Sequence, residues 1–177
     1  MNKQDSLSKV FDNIFLLLGS NLQDRQMMLE QAREQLEKSS IEIYAQSGLY
    51  ETEAWGNTQQ PPFLNQALLI KTGLTPEALL QTIHTIEIHL GRTRYERWGP
   101  RCIDIDILYF DNRIMTQENL KIPHPEIQNR KFALFPLTEL APDFRHPVFN
   151  LTNTELLKRC QDPLLAYRID EGKSQHF

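Results

Sequence analysis

Apolar positions along the chain switch between a period of two and a period near 3.6. Ile14 to Leu18 is an unbroken apolar run ending in Gly19-Ser20-Asn21, the pattern of a buried strand followed by a tight turn into a helix. The helix is expected over Leu22 to Glu37, with Leu22, Leu29, Ala32 and Leu36 on one face and Asn21 as its cap. From Ile41 to Ser47, Ile41, Ile43 and Ala45 alternate with Glu42, Tyr44 and Gln46, a half-buried strand that Leu49 to Thr52 continues after a bulge at Gly48. Glu53 to Pro62 has the composition of a loop, and Phe63 to Lys71 returns to strand. Thr75-Pro76-Glu77 starts a second helix with an apolar stripe of Leu79, Ile83, Ile86 and Leu90, closed by Gly91. Cys102 to Phe110 is the next strand, Asp111-Asn112-Arg113 a turn and Leu120 to Pro125 an extended piece. Asn129 to Leu140 is apolar, with Pro136 expected to interrupt any long helix, and Thr154 to Cys160 makes a last short one.

The order strand, helix, strand, strand, helix, strand predicts an α+β fold. Its core is ferredoxin-like, with a mainly antiparallel sheet and additional C-terminal strand and helix pieces. A chain of 177 residues suits one domain, expected over 14–177 behind a flexible extension at 1–13. The polar start has no apolar leader, and no apolar run approaches the ~20 residues of a membrane span. Cys102 and Cys160 are too few for a metal site or a disulfide framework, which points to a reducing, cytoplasmic setting. A net charge of -4 argues against a general nucleic-acid binder.

Positive charge is instead concentrated. Four of the eleven arginines, Arg92, Arg94, Arg97 and Arg101, fall within ten residues and run into a strand carrying Asp104 and Asp106. Arginine offers a planar fork suited to phosphate oxygens. Aspartates two apart on a strand share one face, leaving Ile103, Ile105 and Ile107 to anchor the other. An arginine run alone is commonly a solvated loop, but Trp98, Gly99 and Pro100 within this one are poorly explained by solubility. Polyphosphate and magnesium follow as the chemistry, since magnesium binds through one or two carboxylates plus substrate phosphates. Asn65, set among apolar residues, needs a hydrogen-bond partner in a neighbouring loop or on a ligand. His84 and Glu87 neighbour each other three apart on the second helix. His124, between two prolines, has a restrained backbone and is a candidate ligand contact.

With Arg97-Trp98-Gly99-Pro100-Arg101 ahead of Asp104-Ile105-Asp106, the chain resembles the hydroxymethyl-dihydropterin pyrophosphokinase family. The resemblance spans Ile14 to Pro147 and includes Gly19-Ser20-Asn21, Phe63-Leu64-Asn65, Ile122-Pro123-His124 and Asn129-Arg130-Lys131-Phe132. It implies a monomeric folate-pathway enzyme that moves a pyrophosphoryl group from ATP to 6-hydroxymethyl-7,8-dihydropterin and releases AMP. Asp104 and Asp106 would then hold two magnesium ions. His84, Glu87, Arg92, Arg97, Trp98, Arg101, Ile107, His124 and Arg130 would line the nucleotide side. Thr52, Trp55, Phe63, Asn65 and Phe132 would form the pterin pocket, with Phe63 and Phe132 on the two faces of the ring. His84 stands where relatives usually carry Gln, and Glu53-Ala54-Trp55 replaces a proline-containing segment.

Arg92 and Arg101 are expected to act on the transition state. The arginine loop, with Gly91 and Gly99 at its ends, is expected to stay open by charge repulsion until polyphosphate neutralises it. A ferredoxin-like nucleotidyltransferase would share the carboxylates but release pyrophosphate. An RNA-recognition module shares the element order but needs exposed aromatics in a basic strand, which Phe63 to Lys71 does not supply.

Overall fold

Two ten-residue strands, β1 (Phe11–Ser20) and β4 (Phe63–Thr72), pair antiparallel at the centre of the molecule. The computed structural model describes residues 10–54, 60–92 and 102–169. Between and after the central strands come α1 (Arg25–Lys38), β2 (Glu42–Gln46), β3 (Leu49–Thr52), α2 (Pro76–His89) and β5 (Asp104–Phe110). A small hairpin, β6 (Met115–Thr116) and β7 (Lys121–Ile122), precedes α3 (Lys131–Leu140), α4 (Asn153–Arg159) and β8 (Ala166–Ile169). The main sheet runs β5-β1-β4-β3-β8, with β2 also paired to β4, and its pairings are antiparallel. With β2 and β3, which both pair with β4, counted as one interrupted strand, the seven elements from β1 to β5 follow the ferredoxin-like order.

Both faces of the sheet are covered, which is why β1 reads as a continuous apolar run and not as an alternation. Ile14, Leu16 and Leu18 face one layer with Leu29 and Leu36 of α1 and Leu79 and Ile83 of α2. Phe15 and Leu17 face the other, with Leu134 and Leu137 of α3 and Leu156 of α4. Tyr109, fully buried on β5, donates its hydroxyl to Asn153 Oδ1 at 3.0 Å and so ties the sheet to α4. Burial pushes the Tyr109 phenol up.

Several expectations need correction. β1 begins at Phe11, not Ile14: Phe11 pairs with Thr72 and packs edge-on against Phe110 with ring centroids 5.0 Å apart. The exposed Asp12 and Asn13 at a register irregularity break the period there, so residues 11–13 belong to the sheet, while 1–9 lie outside the described residues. The cap of α1 is Asp24, which accepts from Met27 N at 3.0 Å. Asn21 is buried instead and donates to Gln60 Oε1 at 3.1 Å and to the Pro61 carbonyl at 3.3 Å. The register along β4 also slips between Ile43 and Ala45, in addition to the bulge expected at Gly48, where Gln46 pairs with Leu68 and Tyr50 with Asn65, four residues on one side against three on the other. Pro136 sits inside α3; it has no N–H for the Phe132 carbonyl one turn back, and its burial with Ala133, Leu134 and Leu137 outweighs that lost bond. The second helix is as expected, capped by Thr75 through Ala78 N and followed by Gly91 at φ 88, a conformation that favours glycine.

Candidate active site

On the α3 face of the sheet a cavity of about 380 Å³ opens beside β5, β1 and β4. It is large enough for a small organic ligand. Asp104, Asp106 and Leu108 project into it from β5, Leu17 and Gly19 from β1, Phe63 and Asn65 from β4, and Thr52 from β3. His124, Arg130 and Phe132 close it from the segment leading into α3. The alternation expected for β5 holds: Asp104 and Asp106 are half-buried in the cavity, and Ile103, Ile105 and Ile107 are buried in the opposite core layer.

The floor is shaped by β1. A Cβ on Gly19 would stand 3.1 Å from Asn65 Oδ1 and 3.8 Å from Phe63 Cδ1, so glycine leaves room for these two side chains. Asn65 is buried and donates from Nδ2 to Thr52 Oγ1 at 2.9 Å across the β3–β4 pair. The partner required of a buried amide is therefore a strand neighbour, and both residues line the cavity.

Charge is organised at the β5 edge. Glu87 on α2 is buried at 2 % exposure, and its Oε1 accepts from Ile105 N at 2.9 Å. Its Oε2 pairs with Arg92 Nη1, while Arg92 Nη2 lies 3.0 Å from Asp104 Oδ1. Burial pushes the Glu87 carboxyl up against the opposing pull of the Ile105 N–H and the guanidinium. Burial disfavours the Arg92 charge, but Asp104 and Glu87 more than restore it. His124 is held by its own N–H to the Leu108 carbonyl at 2.9 Å and accepts at Nδ1 from Glu126 N at 3.2 Å. An accepting Nδ1 places the proton of the neutral ring on Nε2, and burial lowers the His124 pKa. Glu126 also accepts from Asn129 Nδ2 at 3.2 Å and sits 3.9 Å from Arg130 Nε, one helical turn apart.

The cavity thus brings together eight of the expected site residues: Thr52, Phe63, Asn65, Asp104, Asp106, His124, Arg130 and Phe132. Its described lining does not include His84, Glu87, Arg92 or Ile107. Ile107 packs into the other layer. Glu87 bonds Ile105 and Arg92 instead of forming a surface pair with His84. Trp55, Arg97, Trp98 and Arg101 lie outside the described residues. Arg92, at the start of the arginine loop, is paired with Glu87 and Asp104; the loop expected to close on polyphosphate, at 93–101, lies outside the described residues. Gln60, Glu53 and Glu126 line the cavity without having been singled out in sequence. Only Glu126 carried a signal, its spacing of four from Arg130.

Among the described residues no group of three or more His, Cys, Asp or Glu side chains is placed to hold a metal unaided. Two hard carboxylates on one strand face do fit magnesium, which takes its remaining oxygens from phosphates and water.

The same architecture is found in a solved structure of Plasmodium falciparum HPPK-DHPS with pterin and p-hydroxybenzoate. It aligns with a TM-score of 0.68 at 20% identity over 85% of this chain, which spans 42% of that longer chain. The fold is therefore HPPK-like. The family described as 7,8-dihydro-6-hydroxymethylpterin-pyrophosphokinase (HPPK) matches residues 15–142. A 2-amino-4-hydroxy-6-hydroxymethyldihydropteridine pyrophosphokinase of Methylorubrum extorquens is 46% identical over 130 residues, covering 73% of this chain and 82% of the relative. Its counterpart from Aquifex aeolicus is 42% identical over 136 residues, covering 77% and 84%. The chain belongs to the HPPK family, and it is an ATP-dependent pyrophosphokinase of folate biosynthesis.

Proposed function

We propose that the chain binds 6-hydroxymethyl-7,8-dihydropterin in the cavity between Phe63 and Phe132 and transfers to its hydroxymethyl oxygen the terminal pyrophosphoryl group of ATP. The observation that carries this reading is the juxtaposition of a pocket containing two aromatic rings and a buried amide with a carboxylate pair on the neighbouring strand. The rings offer stacking surfaces to a flat heterocycle. Asn65 and Thr52 supply polar atoms toward its edge. The substrate oxygen attacks the β-phosphorus, the bond from that phosphorus to the α–β bridging oxygen breaks, and AMP leaves.

Asp104 and Asp106 would hold two magnesium ions against the phosphates, which when bound supply charge neutralisation and acidify the attacking hydroxyl. Arg130, 11% exposed at the cavity wall, meets phosphate oxygens, and His124 donates from Nε2. Arg92 keeps the Asp104 carboxylate oriented from the helix side. The nucleotide roles of His84, Arg97, Trp98, Arg101 and Ile107, and the pterin role of Trp55, rest on the sequence resemblance alone. Catalysis is then positioning and electrostatics, with no protein nucleophile.

A cytoplasmic monomer is the companion proposal. Cys102 and Cys160 are free thiols, and among the described residues no helix is long and apolar enough to cross a membrane. The test of the activity is to incubate the protein with ATP, magnesium and the pterin alcohol. AMP and a pyrophosphorylated pterin are expected, each dependent on both magnesium and the alcohol. Release of ADP or of free pyrophosphate would overturn the reading.

A further inference from the structure

Two cavity residues, Arg130 and Phe132, sit at the first turn of α3. That turn has no cap of its own: Arg130 occupies the N-cap position, its side chain makes no capping bond, and the first turn contains no acid. The leading N–H groups of a helix must nonetheless find acceptors. The acceptor comes from thirty-one residues further on. Asp162, 6% exposed, takes the Lys131 N–H on Oδ2 at 3.0 Å and the Leu164 N–H on Oδ1 at 3.0 Å. Its charge also stands at the positive end of the helix dipole.

The second bond gives this cap a reference point. Leu164 lies two residues before β8, and β8 pairs with β3 so that Ala166 stands opposite Thr52. Asp162 therefore links the start of α3, which carries one wall of the cavity, to the strand that carries Thr52 on the other wall. The linking segment lies beyond residue 142, where the family match ends.

We propose that Asp162 is a positioning residue of the active site, holding Arg130 and Phe132 at the spacing that the pterin and the nucleotide require. This rests on the pterin pyrophosphokinase reading. Asp162→Ala removes both bonds, and Asp162→Asn keeps one acceptor oxygen but replaces the other with a donor. Glu155→Gln serves as the control: α4 packs on α3, and the substitution weakens the capping box of α4, where Glu155 accepts from Thr152 N at 2.8 Å, but leaves the Asp162 bonds in place.

Pterin and ATP dissociation constants and single-turnover rates are measured on folded protein well below each variant's melting temperature. In Asp162→Ala the pterin dissociation constant is expected to rise about tenfold, as for loss of a charged hydrogen bond, and the turnover rate to fall. Asp162→Asn should lie between it and wild type. Glu155→Gln should lower Tm and leave the constants unchanged. AMP formation by wild type together with wild-type constants in Asp162→Ala would make the cap structural only and overturn the inference. Should Asp162→Ala not fold, Asp162→Asn decides: raised constants support the inference and unchanged ones overturn it. Failure of the wild type to form AMP would remove the functional reading and this inference together.

Discussion

Arg92 and Asp104 meet at 3.0 Å across the gap between the end of α2 and the start of β5. The guanidinium is only 18% exposed, and its other side is taken by Glu87, whose second oxygen holds the Ile105 N–H. Helix end, arginine and strand are thus joined in one chain of charge-assisted bonds. The cavity's first carboxylate is therefore oriented before any ligand arrives.

Glu87 is the central member of that chain. Glu87→Ala would leave a buried backbone N–H without its acceptor and a half-buried guanidinium with one carboxylate fewer. A loss of roughly 3 kcal/mol is expected, read as a lower urea midpoint with an unchanged slope. Glu87→Gln keeps an acceptor for Ile105 and should cost less. Equal losses in the two variants would mean that the charge, and not the bond to Ile105, carries the effect.

Asp104→Ala or Asp106→Ala is expected to abolish turnover while leaving the fold intact. Both side chains face the cavity, and the strand is anchored by Ile103, Ile105 and Ile107 in the opposite layer. Circular dichroism and single-turnover assays at saturating magnesium check this; near-normal rates in either variant would remove the carboxylate pair from the mechanism.

Phe63→Ala and Phe132→Ala should weaken pterin binding by roughly tenfold, about the value of one aromatic stacking contact, and alter ATP binding less. Separate titrations with the pterin alcohol and with ATP decide. A larger effect on ATP would place the two rings on the nucleotide side.

Acid stability should carry the signature of His146. This residue is 3% exposed, its ring lies 5.6 Å from that of Tyr109 and 4.5 Å from that of Phe149, and its Nδ1 accepts from Val148 N at 3.2 Å. Burial lowers its pKa from 6.5 to about 4. The folded state therefore prefers the neutral ring, and the unfolded state binds the proton first as pH falls. The stabilisation is complete above pH 6.5 and is lost between 6.5 and about 4, amounting to about 3 kcal/mol. Urea midpoints across that window should fall in wild type and flatten in His146→Leu, which starts less stable because two backbone N–H groups lose their acceptor.

Much of the fold was legible because it is encoded locally. The unbroken run at Ile14 to Leu18, the alternation at Ile103 to Ile107 and the Thr75-Pro76-Glu77 start each state a period or a cap within a few residues, and each corresponds to the element it predicts. Phe11 and β8 were missed for the opposite reason: both are strands through long-range partners, Thr72 for one and β3 for the other. Pro136 was misread because local backbone chemistry disfavours a helix that tertiary burial nonetheless maintains.

The same division runs through the site. By residue type and spacing the sequence determined the carboxylate pair on one strand face and singled out Asn65, and the resemblance carried by its motifs pointed to the aromatic positions of the cavity and to the family. Only the tertiary structure decided that Glu87 turns inward to Ile105 and Arg92, that Asn65 is satisfied by Thr52, and that Asp162 caps the helix carrying Arg130 and Phe132. Periodicity tells which face of an element a side chain occupies. It carries no information on which distant backbone N–H or guanidinium the fold will bring against that face, and a buried polar group is satisfied by whichever partner lies within hydrogen-bond distance.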